Sequence, residues 1–287
     1  MWRSGGEDDL SEYSRRWRFL RKEAPQIHDD LVLINGYCSI GPGCDTFACL
    51  RRSDGHWLWS FNSSSHHISR PAISADGRVY LADGDGGLLA LDARSGERHW
   101  RVNTGLDDGV PFIPGTSNRH PSITLVDREL LHLDERGRLR AYARDTGALV
   151  RERPLLCSVV RIERHGDDVW VSDRDGTITS IDPTTLATRW RARLPGRLKA
   201  PLVPLGEYCL ALLDRGDLVV RRRDDGRLHC WLGSIRAIAA LPREERSVVA
   251  ATRGGELVVI DLVHGESAPL CPPTMPRVRG EVVAADE

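Results

Sequence analysis

The chain has 287 residues, 40% of them apolar and 28% charged, which supplies a buried core and excludes an intrinsically disordered protein. Forty Lys and Arg against forty-one Asp and Glu leave a net charge of -1, so no global field draws it to nucleic acid or to an anionic membrane. Seven cysteines at scattered spacings suit reduced, mostly buried thiols better than a disulfide framework.

Residues 1–24 form an N-terminal segment without the apolar run that a signal peptide needs, and no later run is long enough to cross a membrane. The expected location is therefore the cytoplasm. Leu10, Tyr13, Trp17 and Leu20 have the spacing of one face of a short helix. Alternatively Trp17, 42 residues before Trp59, starts a fourth strand that completes the last repeat and closes the fold. On that reading, deleting residues 1–24 lowers the melting temperature markedly.

Residues 25–287 are organised by a repeat. Gly55, Gly96, Gly147, Leu186, Gly226 and Gly265 recur at intervals of 41, 51, 39, 40 and 39. Ten residues before them stand Asp45, Gly86, Gly137, Gly176, Gly216 and Gly255, read as a second turn. Two residues further on come Phe47, Leu88, Leu139, Ile178, Leu218 and Leu257. Each unit reads as a small-residue strand such as Pro71-Ala72-Ile73, an apolar strand such as 79–82, a third strand such as 88–92 and a fourth near Trp100 or Trp190. Glycine suits both turns because tight hairpins need positive φ at a central position. The third strands, Leu88-Leu89-Ala90-Leu91 and Leu257-Val258-Val259-Ile260, are apolar or small on both faces, as in sheets packed between two others. Four strands per unit of this length predict an all-β fold, a β-propeller of four-stranded antiparallel blades. Six copies give six blades, and the tail after Cys271 leaves a seventh open.

The segment Ala90-Leu91-Asp92-Ala93-Arg94-Ser95-Gly96-Glu97-Arg98-His99-Trp100 resembles the tryptophan-docking motif of the pyrroloquinoline-quinone-like propeller repeat family. Ser180, Asp182, Thr185 and Trp190 fit a second copy, Ala141, Thr146 and Gly147 a third with Arg151 in the Trp place, and Cys49, Asp54, Gly55 and Trp59 a fourth. The resemblance implies that Trp59, Trp100 and Trp190 dock between blades near the glycines of neighbouring repeats, Gly55, Gly96 and Gly147 among them. It also raises a quinone-dependent dehydrogenase, whose site carries an adjacent Cys pair and a carboxylate-lined calcium site. No Cys-Cys and no calcium-loop spacing occurs here, so no cofactor and no metal is expected. Propeller lipoproteins of outer-membrane assembly share the repeat but carry a lipobox Cys near the N-terminus, and the first cysteine here is Cys38.

Cys38, Cys44 and Cys49 lack zinc-knuckle spacing, and Cys49 falls on a core position. His66-His67 sits in a polar connection. No Gly-x-Ser-x-Gly elbow appears. The recurrent turn acids Asp83, Asp85, Asp134, Asp173, Asp175 and Asp214 suit hairpin ends, and Arg221-Arg222-Arg223 reads as a solvated face of an outer strand. The 51-residue interval holds an insertion, 106–116, with Asp107 and Asp108 and with Phe112 and Ile113 set between two stiffening prolines; it reads as a candidate partner-binding loop or as a plain cover for the channel mouth. The reading that results is a non-enzymatic propeller scaffold for protein partners in a multi-component bacterial assembly, without nucleic acid or membrane. The alternative is a ligand-binding or quinone-dependent enzyme using the propeller's central channel. First strands rich in Ala, Ser, Ile, Val and Leu favour the scaffold.

Overall fold

In a computed structural model of the chain, the elements are β-strands throughout. The structure describes residues 17–18, 25–38, 44–63, 68–83, 86–104, 122–134, 137–155, 159–173, 175–240, 246–263 and 266–269. No helix among them is long and apolar enough to cross a membrane. The chain divides into two compact units, Met1–Arg164 and His165–Glu287.

The first sheet comprises β1 (Trp17–Arg18), β2 (Gln26–His28), β3 (Leu31–Cys38), β4 (Cys44–Arg51) and β5 (Trp57–Asn62), with β1 and β2 both paired to β3. The second runs β6 (Ala72–Ile73), β7 (Arg78–Ala82), β8 (Gly87–Asp92), β9 (Arg98–Asn103), and the third β10 (Ser122–Val126), β11 (Glu129–Leu133), β12 (Arg138–Ala143), β13 (Leu149–Pro154). The fourth is β14 (Val159–His165), β15 (Asp168–Asp173), β16 (Thr177–Ile181), β17 (Thr188–Arg193), and the fifth β18 (Val203–Leu205), β19 (Tyr208–Leu212), β20 (Leu218–Arg222), β21 (Leu228–Leu232). The sixth is β22 (Ile235–Ala240), β23 (Ser247–Thr252), β24 (Leu257–Asp261), β25 (Glu266–Pro269). From β2 onward, strands that are neighbours in sequence within a sheet lie side by side, so short hairpins suffice; β1 alone skips its sequence neighbour and pairs with β3.

The turn between third and fourth strands explains the repeat motif. Gly96 sits at φ 70° and its N–H donates to Asp92 O, while the Asp92 carboxylate accepts the N–H groups of Arg94 and Ser95. Asp182 does the same for Thr184 and Thr185. Each such turn is followed by a one-residue register shift, for example between Ala90 and Leu91. Leu186 holds this conformation at φ 60° with its side chain 1% exposed, so the turn tolerates a buried leucine despite the strain.

The third strands carry the core. Leu88, Leu89, Ala90 and Leu91 are all fully buried, and Phe47, Leu139, Ile178 and Leu218 are equally inaccessible. In β24 only Ile260 is buried, while Leu257, Val258 and Val259 are half-buried.

Three expectations are corrected. Trp17–Arg18 pairs with Tyr37 and Cys38 of the first sheet, and the fourth place of the sixth sheet is taken by β25, so Trp17 does not complete the last repeat. Asp45 lies inside β4 opposite Tyr37 and is no turn residue. Arg221 and Arg222 belong to β20, which is the third strand of its sheet and not the outer one, and both arginines and Arg223 are engaged in specific bonds.

Candidate functional site

Three tryptophans, Trp59, Trp100 and Trp190, form a repeated joint. Trp59 Nε1 donates to Ala93 O at 2.9 Å, Trp100 Nε1 to Arg144 O at 2.9 Å and Trp190 Nε1 to Arg223 O at 2.7 Å. In each case the acceptor lies in the next sheet, three residues before its turn glycine. A Cβ on Gly96 would stand 2.7 Å from Trp59, one on Gly147 2.8 Å from Trp100, and one on Gly226 2.5 Å from Trp190. The indole therefore occupies the space that any side chain would need, and it keeps its N–H bonded while burying a large apolar surface. Gly55 has no such neighbour, with nothing within 4 Å of a Cβ, and Arg151 in the Trp place pairs with Glu129 of its own sheet at 2.7 Å.

The fifth sheet uses a different residue for the same joint. Cys230 stands in the Trp place, and the preceding residue, His229, bonds through Nε2 to Leu262 O, the carbonyl equivalent to those of Ala93, Arg144 and Arg223. A carbonyl only accepts, so Nε2 carries the proton. The ring rests on Tyr208 at 4.6 Å between centroids, as Trp100 rests on Tyr80 at 5.9 Å.

Arginines clasp the same seams. Arg94 forms a two-pronged pair with Asp30, Nη1 at 3.0 Å and Nη2 at 2.6 Å. Arg144 reaches Asp76 at 2.8 Å, and Arg223 reaches Asp168 through Nε at 2.8 Å and Nη2 at 2.6 Å. Asp30 and Asp76 sit in the turn between the first two strand positions of the preceding sheet, and Asp168 opens the second strand just after that turn. The Arg94 guanidinium holds the Asp30 carboxyl below its ordinary range. Arg144 and Arg223 also lie over the rings of Tyr80 and Trp170, at 5.8 and 5.7 Å. Sequence reasoning missed these clasps and His229.

The turn acids are structural. Asp83, Asp134 and Asp173 are buried and accept backbone N–H groups of their own hairpins, from Gly87, Arg138 and Thr177. Asp134 also takes Arg138 Nε at 2.7 Å and lies 3.5 Å from Arg140, whose Nη1 donates to Thr104 O and whose Nε donates to Glu152. His132 is buried beside this group, and its Nδ1 has no partner among the described residues.

Burial pushes the His132 pKa down from 6.5 to about 4, and burial with help from Arg223 does the same to His165. The unfolded chain takes up these protons near pH 6.5 while the folded chain refuses them until about 4. Stability is therefore complete above the unfolded value and falls as pH drops through that window. His132→Gln is expected to flatten the fall, read as melting temperature against pH; an unchanged slope assigns the acid sensitivity elsewhere.

Cys49 is fully buried, with its pKa pushed up to about 12 by burial, and Cys209 is buried in a different sheet. Cys38 and Cys44 are register partners at one end of the β3–β4 pair. Asp107, Asp108, Phe112, Ile113, Asp85, His66-His67, Gly265 and Cys271 lie outside the described residues. Two hollows indent the surface, one over Asp175, Arg193, Pro195 and Arg197, the other over Arg98, His99 and Arg101. Neither collects an acid and base pair. Among the described residues no three His, Cys, Asp or Glu side chains assemble as a metal site.

The family profile described as outer membrane protein assembly factor BamB matches residues 9–167, more than half of the chain. The chain belongs to this quinoprotein-like repeat family. BamB from Alkalilimnicola ehrlichii is 44% identical over 66 residues, 23% of this chain and 16% of that protein. A 1-butanol dehydrogenase (cytochrome c) from Thauera butanivorans is 24% identical over 115 residues, 37% of this chain and 17% of the enzyme. These matches span about a sixth of either relative's length. Among solved structures, BamB from Moraxella catarrhalis superposes with a TM-score of 0.62 at 17% identity, covering 85% of this chain and 72% of that one. A computationally designed protein, Ika8, gives 0.61 at 13% identity, covering 92% and 77%. The fold class is a β-propeller, with six antiparallel sheets among the described residues.

The family's name raises a quinone, and the described residues do not fit one. The sequence has no adjacent cysteine pair, Cys49 and Cys209 are packed in separate cores, and the buried carboxylates are occupied by their own hairpins.

Proposed function

We propose that this chain is a non-catalytic propeller scaffold that holds protein partners within a multi-component assembly. The observation that carries the reading is the disposition of its reactive groups: Asp83, Asp134, Asp173, Cys49 and His132 are buried in the joints and hairpins of the fold, whereas the outer strands β9, β13, β17 and β21 present exposed side chains along sheet edges. Membership of the BamB family supports partner binding, since function resides in surfaces placed on a fold. The match to the butanol dehydrogenase favours the second reading, an enzyme.

Affinity capture of the tagged chain from its host, followed by mass spectrometry, tests the scaffold. A reproducible stoichiometric partner is expected, reduced by Phe112→Ala with Ile113→Asp in the 106–116 insertion. Quinone-dependent reduction of a dye by an alcohol, with no partner recovered, overturns it. The cytoplasm remains the proposed compartment, and recovery in the periplasmic or membrane fraction would contradict it.

A further inference from the structure

We infer that the outer edge of β17 is a docking ledge for an extended acidic segment of a partner protein, added as a fifth strand to the fourth sheet. This names the partner chemistry for the scaffold and rests on that reading. β17 is the last strand of its sheet. Leu194 N–H bonds to Gly176 O on the β16 side, and the register of Arg193 with Thr177 and Arg191 with Thr179 then turns the backbone groups of Arg191 and Arg193 outward. Arg193 O already accepts Arg221 Nη2 at 2.9 Å on that side; the N–H groups of Arg191 and Arg193 and the carbonyl of Arg191 complete the ledge.

The same two residues supply the charge. Arg191 has a 57% exposed side chain that stands 4.0 Å from the Asp173 carboxylate, while Arg193 is exposed beside Arg197 at the hollow that also holds Asp175. Arg189, the third arginine of the strand, is paired with Asp168 and Asp182. β13 interrupts its arginines with Glu152 and ends in Pro154, and β21 carries no formal charge, so β17 is the most cationic outer strand. Edge arginines deter pairing with another basic strand, including a second copy of β17, and leave acidic segments as the complement. Main-chain bonds provide affinity in such strand addition and alternate side chains provide selectivity.

The test is fluorescence anisotropy with a labelled heptapeptide alternating Glu and Val, using the full chain. Saturable binding that weakens with salt is expected, with about a tenfold loss in Arg191→Gln/Arg193→Gln. Arg98→Gln/Arg101→Gln on β9 should leave binding intact, and thermal melts of both variants check that folding is retained. The same peptide N-methylated at alternate amides keeps its charge and should not bind. Equal binding of the N-methylated peptide, loss in the β9 variant, or binding of oligo-dT or phosphatidylglycerol vesicles in place of the peptide overturns the ledge. None of these outcomes bears on partner capture, which tests the scaffold separately.

Discussion

Trp59→Ala is expected to destabilise the chain by about 3–5 kcal/mol, the range for removing a buried aromatic and leaving its space unfilled. Trp59 is 4% exposed and packs with Phe47 at 5.6 Å and with the backbone of Gly96. The substitution also deprives Ala93 O of its donor. Trp100 is only half-buried, so the same change there should cost less. Urea melts of the two variants check the order, and an equal or reversed order would mean that burial does not govern the joint.

A loss of similar size, about 3–5 kcal/mol, is expected for Asp134→Ala, because it breaks a buried ion pair and leaves Arg140 only the half-exposed Glu152 as counter-charge. The Asp134 side chain is inaccessible, and it compensates Arg138 and the nearly buried Arg140 while bonding the Arg138 N–H. Asp54→Ala provides the contrast. That carboxylate is half exposed and pairs with Arg51 in water, so its removal should cost far less than the change at Asp134. Comparable losses at the two sites would refute the distinction between a buried network and a surface pair.

The architecture was legible because its determinants are local. Asp92, Ser95 and Gly96 build one turn within five residues, so the turn recurs as a spacing wherever the chain repeats it. The indole wedge was legible for the same reason, since Trp59, Trp100 and Trp190 each stand four residues after a turn residue. What escaped has no fixed spacing. Arg94 lies two residues before its glycine, whereas Arg144 and Arg223 lie three before theirs, and their acids are 64, 68 and 55 residues away. His229 replaces a tryptophan from the adjacent position, so a search at the Trp place finds only Cys230. Trp17 misled because two residues of strand carry no period, and the edge of β3 rather than an interval from Trp59 decides where they pair. The β17 ledge was hidden because outward backbone groups are a property of register, which a single strand does not reveal.

The central claim is that each docking indole is fitted to a glycine of the following sheet, and a double-mutant cycle between Trp190→Ala and Gly226→Ala tests it most directly. Gly226→Ala alone should be costly, because it adds strain at φ 71° to a collision with the indole; without Trp190 only the strain remains. A coupling of about 1–2 kcal/mol is predicted, with the double variant less damaged than the sum of the singles. Losses that add to within about 0.5 kcal/mol would mean that the two residues act independently, and would contradict the joint.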